Sequence, residues 1–151
     1  TLRANFDGTT ANVGINSTAP QAKLDVEGSV YFGNGNVGVN VAAPTSTLQV
    51  NGSVAVKRTA TSASANSAGE TIIGVNSSGG AVTVTLDTDD VKAGRIVIVK
   101  DEGGAAGTYN ITIATEGGEA IDGDTSDTAV KITANYGVVR LYSNGTNWFT
   151  F

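Results

Sequence analysis

The stretch Asn12-Val13-Gly14-Ile15-Asn16, with Ala19-Pro20 and Leu24-Asp25-Val26 after it, returns 24 residues later as Asn36-Val37-Gly38-Val39-Asn40, Ala43-Pro44 and Leu48-Gln49-Val50. The triplet Gly-Ser-Val follows in both copies, at 28–30 and 52–54. Apolar and polar residues alternate within each short run, which predicts half-buried β-strands. The prolines fall between the runs, where a missing N–H breaks no ladder bond. The first third of the chain is therefore two copies of a β-rich repeat.

One copy of this repeat has too little apolar surface to fold alone. It carries about five large apolar side chains; burying a Val or Leu contributes ~1.5–3 kcal/mol, and ordering each residue costs ~1.5 kcal/mol. Repeat arrays usually need about three stacked units. Further repeats, neighbouring chains or both would supply the rest. We favour three copies wound about one axis, so residues 1–58 are predicted to form the intertwined β shaft of a homotrimer.

The composition predicts an all-β fold and argues against an enzyme. Gly accounts for 20 of 151 residues, and there is no Cys, His or Met. Disulfides, the commonest zinc ligands and the commonest general base are thereby excluded. Carboxylates leave glycosidase chemistry open, but we predict no catalytic residue, no cofactor and no metal. The net charge of −5 disfavours nucleic acid, and no apolar run is long enough for a membrane helix.

The rest of the chain divides into a connector and a head. Residues 59–69 are small and polar, and are predicted to connect shaft and head, either extended along the fibre or as a flexible linker. Residues 70–151 are predicted to form a small β-sandwich or barrel. Asn144-Gly145 is the strongest hairpin signal, and 87–94 is an acidic loop with room for a helical turn. The predicted strands are 71–75, 81–86, 95–100, 109–114, 130–133, 137–143 and 146–151.

Several segments resemble phage tail-fibre proteins and bacterial trimeric surface-fibre (adhesin) proteins. The repeat Asn-Val-Gly-Ile-Asn-Ser-Thr-Ala-Pro is similar to a motif of such fibres. Residues 78–86, 99–104, 134–137 and 141–148 are similar, in that order, to one of their terminal domains. The resemblance implies a parallel homotrimer, extracellular on a cell surface or a virion, with a β-rich shaft and a distal head that touches a host or prey cell. It supplies no ligand and no binding residue. The chain begins without Met, and we expect it to be the C-terminal piece of a longer protein.

The loops 101–107 and 116–127 are predicted to contact the ligand, because binding residues concentrate in loops on rigid scaffolds. The candidate ligand-binding residues are Asp101, Glu102, Glu116, Glu119, Asp122, Asp124 and Trp148. Glu116 and Glu119 also suggest paired glycosidase carboxylates, but a solvated loop is the favoured interpretation.

Two further features have both a functional and a structural interpretation. Trp148 is the single Trp; it is either an exposed platform for a sugar ring or, as we favour, a core or interface residue. Asp122, Asp124 and Asp127 offer oxygens for calcium, and Asp87, Asp89 and Asp90 form a second acidic group. Both groups lack the spacing of an EF-hand loop, and Asp is an ordinary turn residue.

The sequence thus predicts a fibre tip that adheres to a target cell through a glycan or another envelope component. The alternative is a trimerisation cap without a ligand. A tip that cleaves glycans is a third possibility, for which we expect no activity.

Overall fold

The computed structural model describes residues 4–7, 12–33, 35–126 and 130–151, with only the backbone for 4–7. The fold is all-β, as predicted: its elements are strands and a single 3₁₀ turn in the part described. Within that part, no helix is long and apolar enough to span a membrane. The chain divides into two compact units, Thr1–Val54 and Ala55–Phe151.

The first unit contains two small sheets. Its strands are β1 (Ala4–Asp7), β2 (Asn12–Ile15), β3 (Leu24–Val26), β4 (Val37–Val39) and β5 (Leu48–Val50). One sheet has the strand order β1-β2-β3, with β2 antiparallel to β1 and parallel to β3. The other sheet is the parallel pair β4-β5. Val30, at the end of the Gly-Ser-Val triplet, lies outside the strands, and β1 is a strand that the repeat pattern does not predict.

The two repeats have the same backbone geometry. Val13 pairs with Leu24 in one copy, and Val37 pairs with Leu48 in the other. Parallel strands usually need connections of about a dozen residues, but here eight residues suffice. The turn is made by Asn16 (φ 61°) and Asn40 (φ 56°), in the left-handed region that Asn tolerates.

Side-chain amides close the connection in both copies. Asn12 Nδ2 donates to the carbonyl of Pro20, and Asn36 Nδ2 donates to that of Pro44. These bonds explain why Asn recurs at the same offset, because the side-chain amide is the donor; the accepting carbonyl is backbone and does not require Pro.

The second unit contains two larger sheets. Its strands are β6 (Arg58–Thr61), β7 (Ala65–Asn66), β8 (Ile72–Val75), β9 (Val82–Leu86), β10 (Ile96–Asp101), β11 (Ile111–Thr115), β12 (Val130–Ile132), β13 (Val138–Ser143) and β14 (Trp148–Thr150), and a 3₁₀ turn covers Thr88–Asp90. The five-stranded sheet has the order β14-β13-β10-β8-β6, and the four-stranded sheet has the order β12-β11-β9-β7.

From β6 to β11 the chain alternates between the two sheets. Each sheet therefore gains a new strand parallel to the previous one: β6, β8 and β10 in one sheet, and β7, β9 and β11 in the other. β12, β13 and β14 then add antiparallel strands. Alternate residues from both sheets enter one core, so the unit is a β-sandwich. The core residues are Ile73, Val75, Val82, Val84, Leu86, Val97, Val99, Ala106, Ile111, Ile113, Ile121, Ile132, Leu141 and Trp148.

The predicted strands of the head and its final hairpin are confirmed, with ends shifted by one or two residues. The prediction of a connector at 59–69 is wrong. This segment provides part of β6 and all of β7, the edge strands of the two sheets. Its small residues gave no strand signal, because β6 and β7 each have one neighbouring strand and bury little side-chain surface.

A buried polar network joins this edge to the sheet. Ser67 donates its hydroxyl to Asp90, and Arg95 pairs with the other carboxylate oxygen of Asp90 at 3.3 Å. Burial raises the pKa of Asp90, but hydrogen bonds from Ser67, Gly69 and Arg95 and the charge of Arg95 outweigh that effect and leave the pKa below its ordinary value. The edge segment is thus fixed by specific hydrogen bonds and an ion pair.

Substituting Gly14 is expected to disrupt its repeat. A Cβ at Gly14 would lie 2.5 Å from the carbonyl oxygen of Ser17, so the connection would have to move. We expect Gly14→Ala to cost about 1–3 kcal/mol, the usual effect of overpacking, and to accelerate amide hydrogen exchange in β2 and β3. Gly52→Ala is the matched control, because a Cβ there meets nothing within 4 Å. Equal exchange in the two variants would contradict the expectation.

Candidate functional site

Asp101, at the end of β10, organises the loop that follows it. Its side chain is fully buried and accepts hydrogen bonds from the backbone N–H groups of Gly104, Ala106 and Tyr136, at 2.9, 3.1 and 2.9 Å. Burial raises the pKa of Asp101, but these donors together with Gly103 outweigh it and hold the pKa below its ordinary value. The prediction that Asp101 contacts a ligand is therefore corrected: the carboxylate is inside the protein and shapes the loop.

The loop 101–107 is joined to the turn 134–137 at two points. Asp101 accepts the N–H of Tyr136, and Asn135 Oδ1 accepts the N–H of Gly107 at 2.8 Å. Gly137 closes the turn by donating to the carbonyl of Ala134. The two segments therefore form one surface at this end of the sandwich, which we call the Asp101 end.

Tyr136 is the most prominent side chain of the Asp101 end. It is 66% exposed, and its φ of 58° is unusual for a bulky residue. Its ring lies against Gly104, where a Cβ would contact the ring. The ammonium of Lys100 lies 5.7 Å from the ring centroid and donates to the carbonyl of Tyr136. Neither residue was among the predicted site residues.

Glu102 lies beside this surface. It pairs with Arg58 and packs across β8 at Gly74, where the lack of a side chain makes room for its carboxylate. A shallow groove of about 270 Å³ runs past it, lined by Ala60, Thr61, Ser62, Gly74, Asn76 and Glu102. The structure thus leaves Glu102 at the surface, with its charge offset by an arginine.

The remaining carboxylates of the predicted site accept hydrogen bonds from nearby backbone. Glu116 accepts from the N–H of Thr88, Glu119 from Gly117, and Asp122 from Thr150. Asp124 accepts from the N–H of Ser126 at 2.7 Å, and this bond and a second one from the Ser126 hydroxyl lower the pKa of Asp124. These contacts shape the loop.

The two predicted ligand loops lie at opposite ends of the sandwich. β10 and β13 are antiparallel, with Lys100 opposite Val138 and Ile96 opposite Tyr142. The loop 101–107 therefore follows the carboxyl end of β10, whereas 116–126 is bonded near the other end, through Ala120 to Asn147. About 17 Å of strand separates the two ends, so the predicted residues do not converge on one site.

Trp148 is a core residue, as the favoured interpretation of the sequence predicts. The alternative prediction, that its side chain contacts a ligand directly, is wrong. Trp148 has no exposed surface and belongs to the core of the sandwich. Its backbone bridges to Ile121, the one large apolar residue between Glu116 and Ser126. Its indole N–H is buried without a hydrogen-bond partner in the described structure.

The acidic residues form no metal site in the part of the chain that the structure describes: no group of three or more carboxylates comes together there. Asp127 lies outside the described residues. Asp90 of the second acidic group is committed to Ser67 and Arg95.

Comparison with protein-family models and with curated proteins finds no match for this chain. The geometry alone therefore defines the candidate site, which is the Asp101 end with Tyr136, Lys100, Asn135 and Glu102 on its surface.

Asp101→Asn is expected to destabilise the head and reduce its sensitivity to acid. The amide presents an N–H₂ group in a site built of donors, which costs about 1–3 kcal/mol. Because the folded-state pKa of Asp101 is lowered, its contribution is fully present above the unfolded-state pKa and is lost as pH falls through the folded-state value. Urea unfolding between pH 6 and pH 2 should show a smaller loss of stability in the variant. An unchanged pH dependence would contradict this role.

Proposed function

We propose that this chain is the tip segment of a homotrimeric extracellular fibre, on a cell surface or a virion, and that its head adheres to a target cell. The trimer depends on one observation. Large apolar side chains are exposed at matching positions of both repeats: Leu24 and Leu48 are each 62% exposed. Ile15 and Val39 match in the same way, as do Val30 and Val54.

The repeats have no apolar core in the single chain. Every buried hydrophobic residue in the described part of the chain lies in the second unit, from Ile73 onward. A row of exposed Leu, Ile and Val that recurs every 24 residues is what an array of associating chains requires. Copies of the same chain present the same row, so they are the natural partners.

The head also has one uncovered apolar face. β10 carries Val97 and Val99 toward the core and Ile96 and Ile98 on the outer face. β6, β8 and β10 form the parallel part of this mixed sheet, and parallel strands are normally covered on both faces. The outer face of the five-stranded sheet includes Ile72, Ile96, Ile98, Val138, Tyr142 and Phe149, whereas that of the four-stranded sheet includes Thr83, Thr85, Thr112 and Lys131. Lys100 and Arg140 lie on the same outer face of the five-stranded sheet, so the apolar side chains occupy part of that face.

The adhesive role is supported by the resemblance to fibre tips and by the surface of the Asp101 end. A second candidate, a trimerisation cap without a ligand, is favoured by a different observation: four predicted ligand carboxylates at the other end accept hydrogen bonds from the chain's own backbone. The two functions share the trimer and differ in whether the head binds a cell.

Replacing both repeated leucines is expected to dissociate the trimer. Leu24→Ser with Leu48→Ser removes two side chains whose burial contributes about 1.5–3 kcal/mol each per chain. Light scattering should give three chains per particle for the unaltered protein and one for the variant. Ser53→Ala, at an exposed position of the same repeat, should remain trimeric. A monomeric unaltered protein with protected amides in β2 to β5 would overturn the trimer.

Adhesion should depend on the number of chains per particle. Three linked heads bind a cell surface about 10²–10⁴ times more tightly than one, without any new contact. The labelled trimer should therefore bind at least one member of a panel of bacterial cells and purified glycans, and the doubly substituted variant should be about 10² times weaker. A stable trimer that binds no cell and no glycan would favour the structural cap.

A further inference from the structure

We propose that Tyr136 and Lys100 form a preorganised binding site for an acidic saccharide, one that carries carboxylate groups. The proposal rests on the adhesive function above and names its site and its ligand class. It departs from the sequence prediction, which placed ligand contacts on loop carboxylates and Trp148.

The backbone of Tyr136 is the first observation. The residue occupies the third position of the turn 134–137 with φ at 58°, a conformation that Gly or Asn adopts at lower cost. Of the five non-glycine residues with positive φ among those described, Tyr136 is the one aromatic. Strained residues of this kind persist where the surroundings hold them, and they cluster at ligand sites.

The surroundings of Tyr136 hold it firmly. Its N–H donates to the buried carboxylate of Asp101 at 2.9 Å, and its ring rests against Gly104. Because these contacts are made without a ligand, little conformational entropy remains to be lost on binding. Yet the residue is 66% exposed and lies outside the hydrophobic core, so core packing does not explain a large aromatic here.

The chemistry of the exposed groups indicates the ligand. The face of an aromatic ring packs against the apolar C–H face of a sugar while leaving the sugar hydroxyls in water. Lys100 adds a positive charge beside that ring. Among the described residues no carboxylate lies within ion-pair distance of its ammonium, and the bond to the carbonyl of Tyr136 uses one of three donors. An anionic sugar satisfies the ring and the ammonium together.

The charge of the whole chain makes this local arrangement selective. The net charge is −5, so the chain as a whole repels a polyanion, and binding requires a local attraction such as a cation beside an aromatic ring. Arg58 is paired with Glu102, and Arg140 lies opposite Ile98, farther along the strand from this end. Lys100 is the cation that lies beside the Tyr136 ring.

Affinity electrophoresis of the chain through gels containing alginate, a polyuronate, tests the site. We expect alginate to retard the protein and neutral dextran to have no effect. Tyr136→Gly and Lys100→Gln should each weaken retardation by alginate about tenfold. Two matched controls should bind as the unaltered protein does: Lys131→Gln, which removes an exposed charge from the four-stranded sheet, and Phe151→Ser, which removes an exposed aromatic ring elsewhere on the head.

Thermal unfolding separates a binding role from a structural one. Gly keeps the N–H that Asp101 accepts and suits a positive φ, so Tyr136→Gly should melt at the same temperature or higher while binding alginate about tenfold more weakly. Tyr136→Asn, which also tolerates the left-handed region, should behave alike. If both variants melt several degrees lower, the ring is structural and the proposal is wrong.

The remaining outcomes separate this site from adhesion in general. If the trimer binds cells but not alginate, or if the Phe151 variant loses binding while the Tyr136 variants keep it, the proposed site is wrong and the adhesive function stands. Retention by dextran sulfate that Lys100→Gln and Lys131→Gln weaken equally would show nonspecific charge attraction, and would also overturn the site. Absence of binding to every cell and saccharide would overturn both proposals.

Discussion

Alternation of the chain between two sheets is the constraint on which the head depends. Each passage of the chain from one sheet to the other adds a strand that is parallel to the previous strand of the sheet it joins. Apolar residues spaced two apart on these strands therefore face the same core. Because β6, β8 and β10 are parallel, their carboxyl ends lie at the same end of the sandwich. The Asp101 end is built there, because Asp101 is the last residue of β10 and its carboxylate can accept the N–H groups of the loop that follows.

Strand existence in the head could be predicted from sequence, whereas strand partners could not. The alternation in 81–86 and the two-faced apolar run in 95–100 indicate strands through side chains that the core selects. Ala65 and Asn66 carry no such signal; they become a strand because Ser67 and Asp90 fix the neighbouring chain by hydrogen bonds. Polar networks between residues more than 20 positions apart leave no periodic pattern, so the edge strands were assigned to a connector.

In the candidate site too, the position of the loops could be predicted from sequence, whereas the contacts of their side chains could not. Residues 102–107 and 116–126 lie outside the regular strands, as predicted, but charge alone does not show whether a carboxylate faces solvent or the backbone. Asp101 and Glu102 are adjacent and acidic, yet one is buried under backbone donors and the other lies on the surface beside Arg58. Trp148 is buried in the core, where its backbone pairs with that of Ile121 in the loop. The conformation of Tyr136 depends on Asp101, 35 residues away, and no local motif reveals it.

The two units solve the problem of apolar surface in different ways. The head encloses its own core, and a small domain that does so without disulfides can tolerate a strained, exposed residue such as Tyr136. The repeats reproduce one backbone twice, down to the Asn amide that bonds a Pro carbonyl, but leave their leucines in solvent. Hydrogen bonds within each repeat specify its conformation. The exposed Leu, Ile and Val side chains of the repeats are not buried within the same chain. Conformation is therefore encoded locally in the repeats, and under the proposed trimer the stability of that conformation comes from association with other chains.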